Sequence, residues 1–92
     1  QKIKTILGNK PTYLSFDIDC LDPAFASGTG TPVWGGLSSR QAASILRDIA
    51  GINMGGGDVV EVSPQYDTSG ATAVAGAHIA LELICIWAAT RV

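Results

Sequence analysis

Two aspartates with one residue between them, Asp17 and Asp19, stand at the end of the apolar stretch "LSFDIDCLDP", residues 14–23. Alternate residues of a strand share a face. A strand here sets Ser15, Asp17 and Asp19 on one side and Leu14, Phe16 and Ile18 on the other. Carboxylates side by side on such a strand repel each other and lose hydration, so a cation, a shared proton or a basic partner must compensate. A third acid, Glu61, lies within "DVVEVS", residues 58–63. Taken alone, D-x-D reads more often as a solvated strand end or a turn cap than as a metal site. The apolar strand before it, the glycine-rich stretch after it and the third acid favour a metal site. Carboxylate oxygens suit Mg, Ca or Mn, whereas zinc draws on cysteine or clustered histidine. The chain has one histidine, and Cys20 and Cys85 show no metal-type spacing.

The elements that must hold these acids alternate in type. Residues 1–7 read as the end of a helix stopped at Gly8-Asn9. Residues 12–18 follow Pro11 as a compact strand. The next stretch, to Leu37, is a long loop with Pro23, Pro32 and four glycines, and loops of that length are commonly functional. Ser38 opens a helix with capping-box spacing to Gln41, and Ala42, Ala43, Ile45, Leu46 and Ile49 give it an apolar face up to Gly51. Residues 58–63 read as a second strand, bounded by the three glycines before it and Pro64 after it. The loop "PQYDTSG" then leads into a final helix ending near Thr90. Helices alternating with strands predict a parallel α/β sheet, in which ligands bind beyond the carboxyl ends of the strands. Asp17, Asp19 and Glu61 therefore converge at one rim.

Composition narrows the class. Of the 92 residues, 15% are charged and 47% hydrophobic, against about 25% charged in typical domains. A small domain has much surface to cover, so a chain this poor in charge is expected to meet other protein as part of a larger α/β domain. Net charge is −2 and the six Lys and Arg do not cluster, which speaks against nucleic acid as a partner. Residues 72–89 are apolar, but His78 and Glu82 sit in their middle, each costly at bilayer depth. A buried packing helix is expected rather than a membrane span. Two cysteines in an otherwise ordinary sequence fit reduced thiols and a cytoplasmic location.

The stretch "SFDIDCLDPAFASGTGTP" resembles a metal signature of the ureohydrolases, the arginase and agmatinase superfamily, and "VVEVSPQYD" resembles that superfamily's guanidinium-binding strand in its agmatinase-type form. The resemblance runs from Pro11 to the last helix. It implies the C-terminal part of a three-layer α/β/α arginase-like fold with a parallel sheet, residues 1–92 forming one partial domain. It also implies a cytoplasmic enzyme of polyamine metabolism that hydrolyses a small guanidino substrate to urea and an amine with two Mn²⁺ ions. Agmatine, which would give putrescine, is favoured over guanidinobutyrate, other guanidino acids or guanidine. By the same resemblance Asp17 bridges both metals, Asp19 binds one, Glu61 accepts N–H bonds from the guanidinium, and Thr31 supports Glu61 from the second half of the loop. The full-length protein is expected to be a homo-oligomer, a trimer or hexamer.

Other residues invite plainer readings: Asp22 a loop brace, His78 a packed and hydrogen-bonded helix residue, Cys20 a small loop filler. Trp34 stands where agmatinase-like sequences often carry Glu-Pro or similar. It is read equally as a pocket floor or as a contact to a neighbouring subunit, with a plain packing role close behind. The family's further metal motifs, of the GGDHS and DAHxD type, are not in this chain, which leaves a non-catalytic metal-binding or interaction module as the reading from another class. Residues 1–92 expressed alone are expected to release little or no urea, to bind Mn²⁺ weakly and to aggregate or remain loosely folded, because strand edges and apolar helix faces lie bare. A monodisperse 92-residue monomer with a cooperative melt, seen by light scattering and circular dichroism, would refute this.

Overall fold

The computed structural model describes residues 2–91; Gln1, read from sequence as helical, lies outside them. Two parallel strands, β1 (Thr12–Asp17) and β2 (Met54–Val60), form the sheet. Helix α1 (Lys2–Leu7) precedes β1, α2 (Ser39–Asp48) lies in the crossover, and α3 (Ala71–Ala89) follows β2. The chain is thus α/β with a parallel sheet, as its alternating pattern predicts. After an irregularity between Thr12 and Tyr13, the register runs from Tyr13 opposite Gly56 to Asp17 opposite Val60.

In β1 the period-two pattern is realised: Thr12, Leu14 and Phe16 are half-buried while Tyr13, Ser15 and Asp17 are exposed. The strand stops at Asp17, one residue short of expectation, because Ile18 enters a 3-10 turn, Ile18–Cys20, and is fully buried there. β2 departs further from the sequence reading: it begins at Met54, runs through all three glycines and ends before Glu61. Glycine at 57 is a packing requirement. A Cβ there would lie 2.7 Å from the Leu14 carbonyl oxygen and 2.6 Å from the Met54 side chain. Of the glycines that read as a boundary, Gly57 is the one that lets β2 approach β1.

The capping box forms at α2: the Gln41 N–H donates to Ser38 Oγ at 3.1 Å and the Ser38 N–H to Gln41 Oε1 at 2.9 Å. Ala42 and Leu46 supply its buried stripe, whereas Ile45, expected on that face, is largely exposed. In α3 the buried residues Thr72, Gly76, Ile79, Leu83 and Ile86 recur every three or four positions. That stripe packs on β2 and α2, and Arg47 donates to Glu82 at 2.8 Å across the two helices. By length and composition α3 could also cross a membrane; its packed stripe and its ion pair fit a core helix. Ile18, Leu21, Leu46, Met54, Ile79 and Leu83 centre the core.

Ile18 links the core to the acidic pair on either side of it. Ile18→Ala in the full-length protein should cost about 2–5 kcal/mol of stability, the usual cost of emptying a fully buried aliphatic site. Denaturant unfolding would check this; a loss well under that range would show that Ile18 does not anchor the turn.

Candidate active site

Asp17, the last residue of β1, points to the exposed side of the sheet. Its Oδ1 accepts the Asp19 N–H at 2.9 Å, which caps the 3-10 turn. The turn removes Asp19 from the strand's alternation and leaves it half-buried. Its two carboxylate oxygens are held separately: Thr29 Oγ1 donates to Oδ1 and Thr31 Oγ1 to Oδ2. Hydrogen bonds to the ionised form favour it, so the Thr29 hydroxyl, then that of Thr31, hold Asp19 below its ordinary 3.8. The expected Thr31 support of Glu61 is corrected here: the Thr31 hydroxyl serves Asp19. Thr29, buried and close to fully so, escaped the sequence reading. Its signal was there, since the two threonines of "GTGTP" are two apart and share a face of any extended segment.

Glu61 directly follows Val60, the partner of Asp17 in the register, so its position is on the same carboxyl-end rim. It lies outside β2, with φ of +70°. A non-glycine residue in the left-handed region costs roughly 1–3 kcal/mol and persists where its surroundings over-determine it. Glu61 is exposed, and its carboxylate accepts no hydrogen bond among the described residues. It is therefore free to receive donors from a ligand.

The loops behind the rim are braced by carboxylates. Asp22 accepts the Ala24 N–H at 2.9 Å and the Gly35 N–H at 2.8 Å, closing the long loop upon itself. Leu21 and Leu37 form a parallel bridge at its neck. Asp67 caps α3, accepting from the Ala73 N–H at 3.0 Å and the Thr72 N–H at 3.2 Å. On the open side of the sheet, Asp58 accepts from Tyr13 Oη at 2.7 Å and Ser15 Oγ at 2.6 Å. Those two hydroxyls lower its pKa, and the bond to Asp58 raises that of Tyr13. None of these groups was singled out from sequence except Asp22. His78 is exposed with no hydrogen bond, against expectation. Trp34 is 91% exposed, so within this chain it floors no pocket. Desolvation and the nearby Asp17 charge push the Cys20 thiol up, which makes it a poor nucleophile.

Among the described residues no three His, Cys, Asp or Glu side chains converge on one point. Asp17 and Asp19 nonetheless fit a hard dication as donors. Both are oxygen ligands, Asp19 is held in its ionised form, and each carboxylate keeps lone pairs beyond those its hydrogen bonds use.

Three comparisons bear on this geometry. The family model described as the arginase family matches residues 1–85. An agmatinase of Neisseria meningitidis serogroup C (strain 053442) is 58% identical over 91 residues, covering 99% of this chain and 30% of the relative. Among solved structures, a hypothetical agmatinase from Burkholderia thailandensis superposes with a TM-score of 0.91 at 59% identity, covering 98% of this chain and 29% of that one. A proclavaminate amidino hydrolase from Streptomyces clavuligerus gives 0.90 at 46% identity, covering 95% and 29%. The chain thus spans about 30% of the length of the relatives it matches.

The cap on α3 generates a pH prediction. Backbone N–H groups, that of Ala73 foremost, hold the Asp67 carboxyl below its ordinary 3.8. A carboxyl depressed by folding adds stability that is complete above the unfolded value and is lost as pH falls through the folded one. Asp67→Asn in the full-length protein should therefore reduce the loss of stability on acidification from about pH 5 downward. Urea midpoints measured across that range would check it; an unchanged acid limb would mean that the cap does not titrate.

Proposed function

The chain belongs to the arginase family, and on that premise we propose that the complete protein is a cytoplasmic, homo-oligomeric amidinohydrolase that converts agmatine and water to urea and putrescine. The observation that carries this reading is the shared rim: Asp17, at the carboxyl end of β1, lies beside the strand residue that leads into Glu61. Family membership implies a binuclear metal centre, for which we assign manganese. Asp17 and Asp19 would hold it in this reading, with the remaining ligands coming from other parts of the complete protein. When bound, such a pair of dications lowers the pKa of water and so supplies the nucleophile.

The chain's own residues do the rest by position. The Glu61 carboxylate accepts the forked N–H donors of the planar guanidinium, a charge-assisted pairing that fixes both plane and register of the substrate. Held so, the guanidinium carbon faces the rim where Asp17 and Asp19 stand, and orientation lowers the barrier to attack. Thr29 and Thr31 keep Asp19 ionised and fixed in rotamer. The reaction balances without a further reagent: water adds its oxygen to the carbon, the C–N bond to the alkyl amine breaks, and the protons of water leave on that amine.

A second substrate reading has its own support, since the proclavaminate amidino hydrolase is 46% identical. The same machinery would then act on a guanidino acid. Urea release by the full-length protein with Mn²⁺, assayed on agmatine, guanidinobutyrate, guanidinopropionate and guanidine, separates the two. Agmatine should give the highest kcat/KM. Urea from none of them would leave the non-catalytic module.

Substitutions separate the roles. Asp17→Asn should weaken Mn²⁺ retention and lower turnover by more than about a hundredfold, the upper end for losing a partner that merely supports a ligand. Glu61→Gln should keep the metal content and lower kcat/KM by about tenfold to a hundredfold, the worth of a charge-assisted hydrogen bond. Metal analysis beside the urea assay checks both. Glu61→Gln protein stripped of metal would overturn the assignment of Glu61.

A further inference from the structure

Between the loop that serves Asp19 and the loop that carries Glu61 lies one residue with no freedom left, Gly28. Its N–H donates to Thr72 Oγ1 at 2.8 Å in a buried bond, and its carbonyl accepts the Ser63 N–H at 2.7 Å. The space its side chain would occupy is taken: a Cβ on Gly28 would meet Asp67 Cβ at 2.5 Å. Thr72 itself is fully buried and Asp67 caps its helix. Gly28 does not have a positive φ, so glycine is required here for space and not for backbone conformation.

Each neighbour of this junction leads to the rim. One residue after Gly28 stands Thr29, whose hydroxyl holds Asp19. Two residues before Ser63 stands Glu61, with its left-handed backbone. On one side Glu61 is fixed by Val60, paired with Asp17. On the other, Val62 abuts α3 at Gly76, where a Cβ would come 3.2 Å from Val62 Cγ2. The Ser63–Gly28 bond is the remaining restraint. Without it residue 61 could relax toward negative φ, which any side chain prefers, and carry its carboxylate off the rim.

We propose that Gly28 and Thr72 are positioning residues: their buried hydrogen bond, packed by Asp67, fixes Gly28, whose carbonyl holds the Glu61 loop at Ser63 against the Asp19 loop and so sets where Glu61 stands relative to the metal-side carboxylates. The proposal rests on the assignment of Glu61 to the guanidinium. Thr72 acts through Glu61 and touches no substrate. A loss at Thr72 should therefore matter while Glu61 is intact and matter little once Glu61 is disabled.

The test uses full-length protein with Thr72→Val, close in shape but without the acceptor for Gly28, and with Thr72→Ser, which keeps it. Thr72→Val should lower kcat/KM by about tenfold to a hundredfold, the scale of a misplacement near 1 Å. Thr72→Ser should restore it, and bound Mn²⁺ should be the same in all three proteins. In a Glu61→Gln background the same Thr72→Val change should have an effect of less than about threefold, because interacting residues are not additive. An equal factor in both backgrounds, no effect in either, or loss of metal would overturn the proposal. A crystal structure of the Thr72→Val protein reads the same point without activity: Glu61 should leave the left-handed region, and Glu61 unmoved at positive φ would overturn it. Were the valine variant not to fold, Gly28→Ala, which forces Asp67 away, stands in with the same expectations. Wild-type protein that releases no urea would count against the proposed reaction alone, since the crystallographic outcome decides the positioning role separately.

Discussion

The parallel pairing of β1 with β2 is the constraint on which the remainder of this structure depends. Parallel strands run their carboxyl ends to the same edge, so the acids that follow each strand must share a rim. The register then decides how close they come: with Asp17 opposite Val60, the next residue on β2's chain is Glu61. A slip of one residue would turn the alternation of a strand inside out. The irregularity between Thr12 and Tyr13 and the missing side chain at Gly57 both belong to this register, because Gly57 closes on the Leu14 carbonyl where any Cβ would collide. Glycines that weaken a strand by propensity here make its pairing possible.

That geometry leaves two loops to be held, and the chain holds them with backbone hydrogen bonds to buried or bracing side chains. Asp22 closes the first loop, Asp67 starts α3, and Gly28 ties the two together. Such ties explain how Glu61 keeps a conformation that costs free energy. Strain at a single residue survives only where independent contacts each resist its relaxation, and here they come from β2, from α3 and from the first loop.

Much of this was legible in the sequence because it depends on local signals. Alternation gave β1 its buried face, the Ser38 and Gln41 spacing gave α2 its cap, and Asp17, Asp19 and Glu61 stood out as acids at the ends of apolar runs. The misreadings share a cause: they concern contacts between segments far apart in the chain. The glycines at 55–57 resemble a breaker until Leu14 is seen beside Gly57. Thr31 is matched to Glu61 by the family resemblance of "GTGTP" alone, yet its hydroxyl reaches Asp19. Thr72 carries no motif and Asp67 only closes "VVEVSPQYD", and their importance appears only when Gly28 is found between them. His78 looked like a packed residue in an apolar helix, but α3 buries only the stripe facing β2 and α2.

Charge balance at the rim gives the site its chemical direction. Asp17, Asp19 and Glu61 are held by a backbone N–H, by two hydroxyls and by nothing, respectively. No basic side chain among the described residues bonds to any of them, and Arg47, an arginine that does pair with an acid, faces Glu82 across α2 and α3. Hydroxyl and amide dipoles orient a carboxylate and favour its ionised form, but they bring no net positive charge. Three such groups along one rim therefore favour cations as occupants. A dication suits the two aspartates as oxygen donors, whereas the Glu61 carboxylate, without a hydrogen bond among the described residues, is held only through its backbone and stays open to an N–H donor. An arrangement so short of positive charge is unfavourable for the chain alone and is relieved by cations that reach the rim.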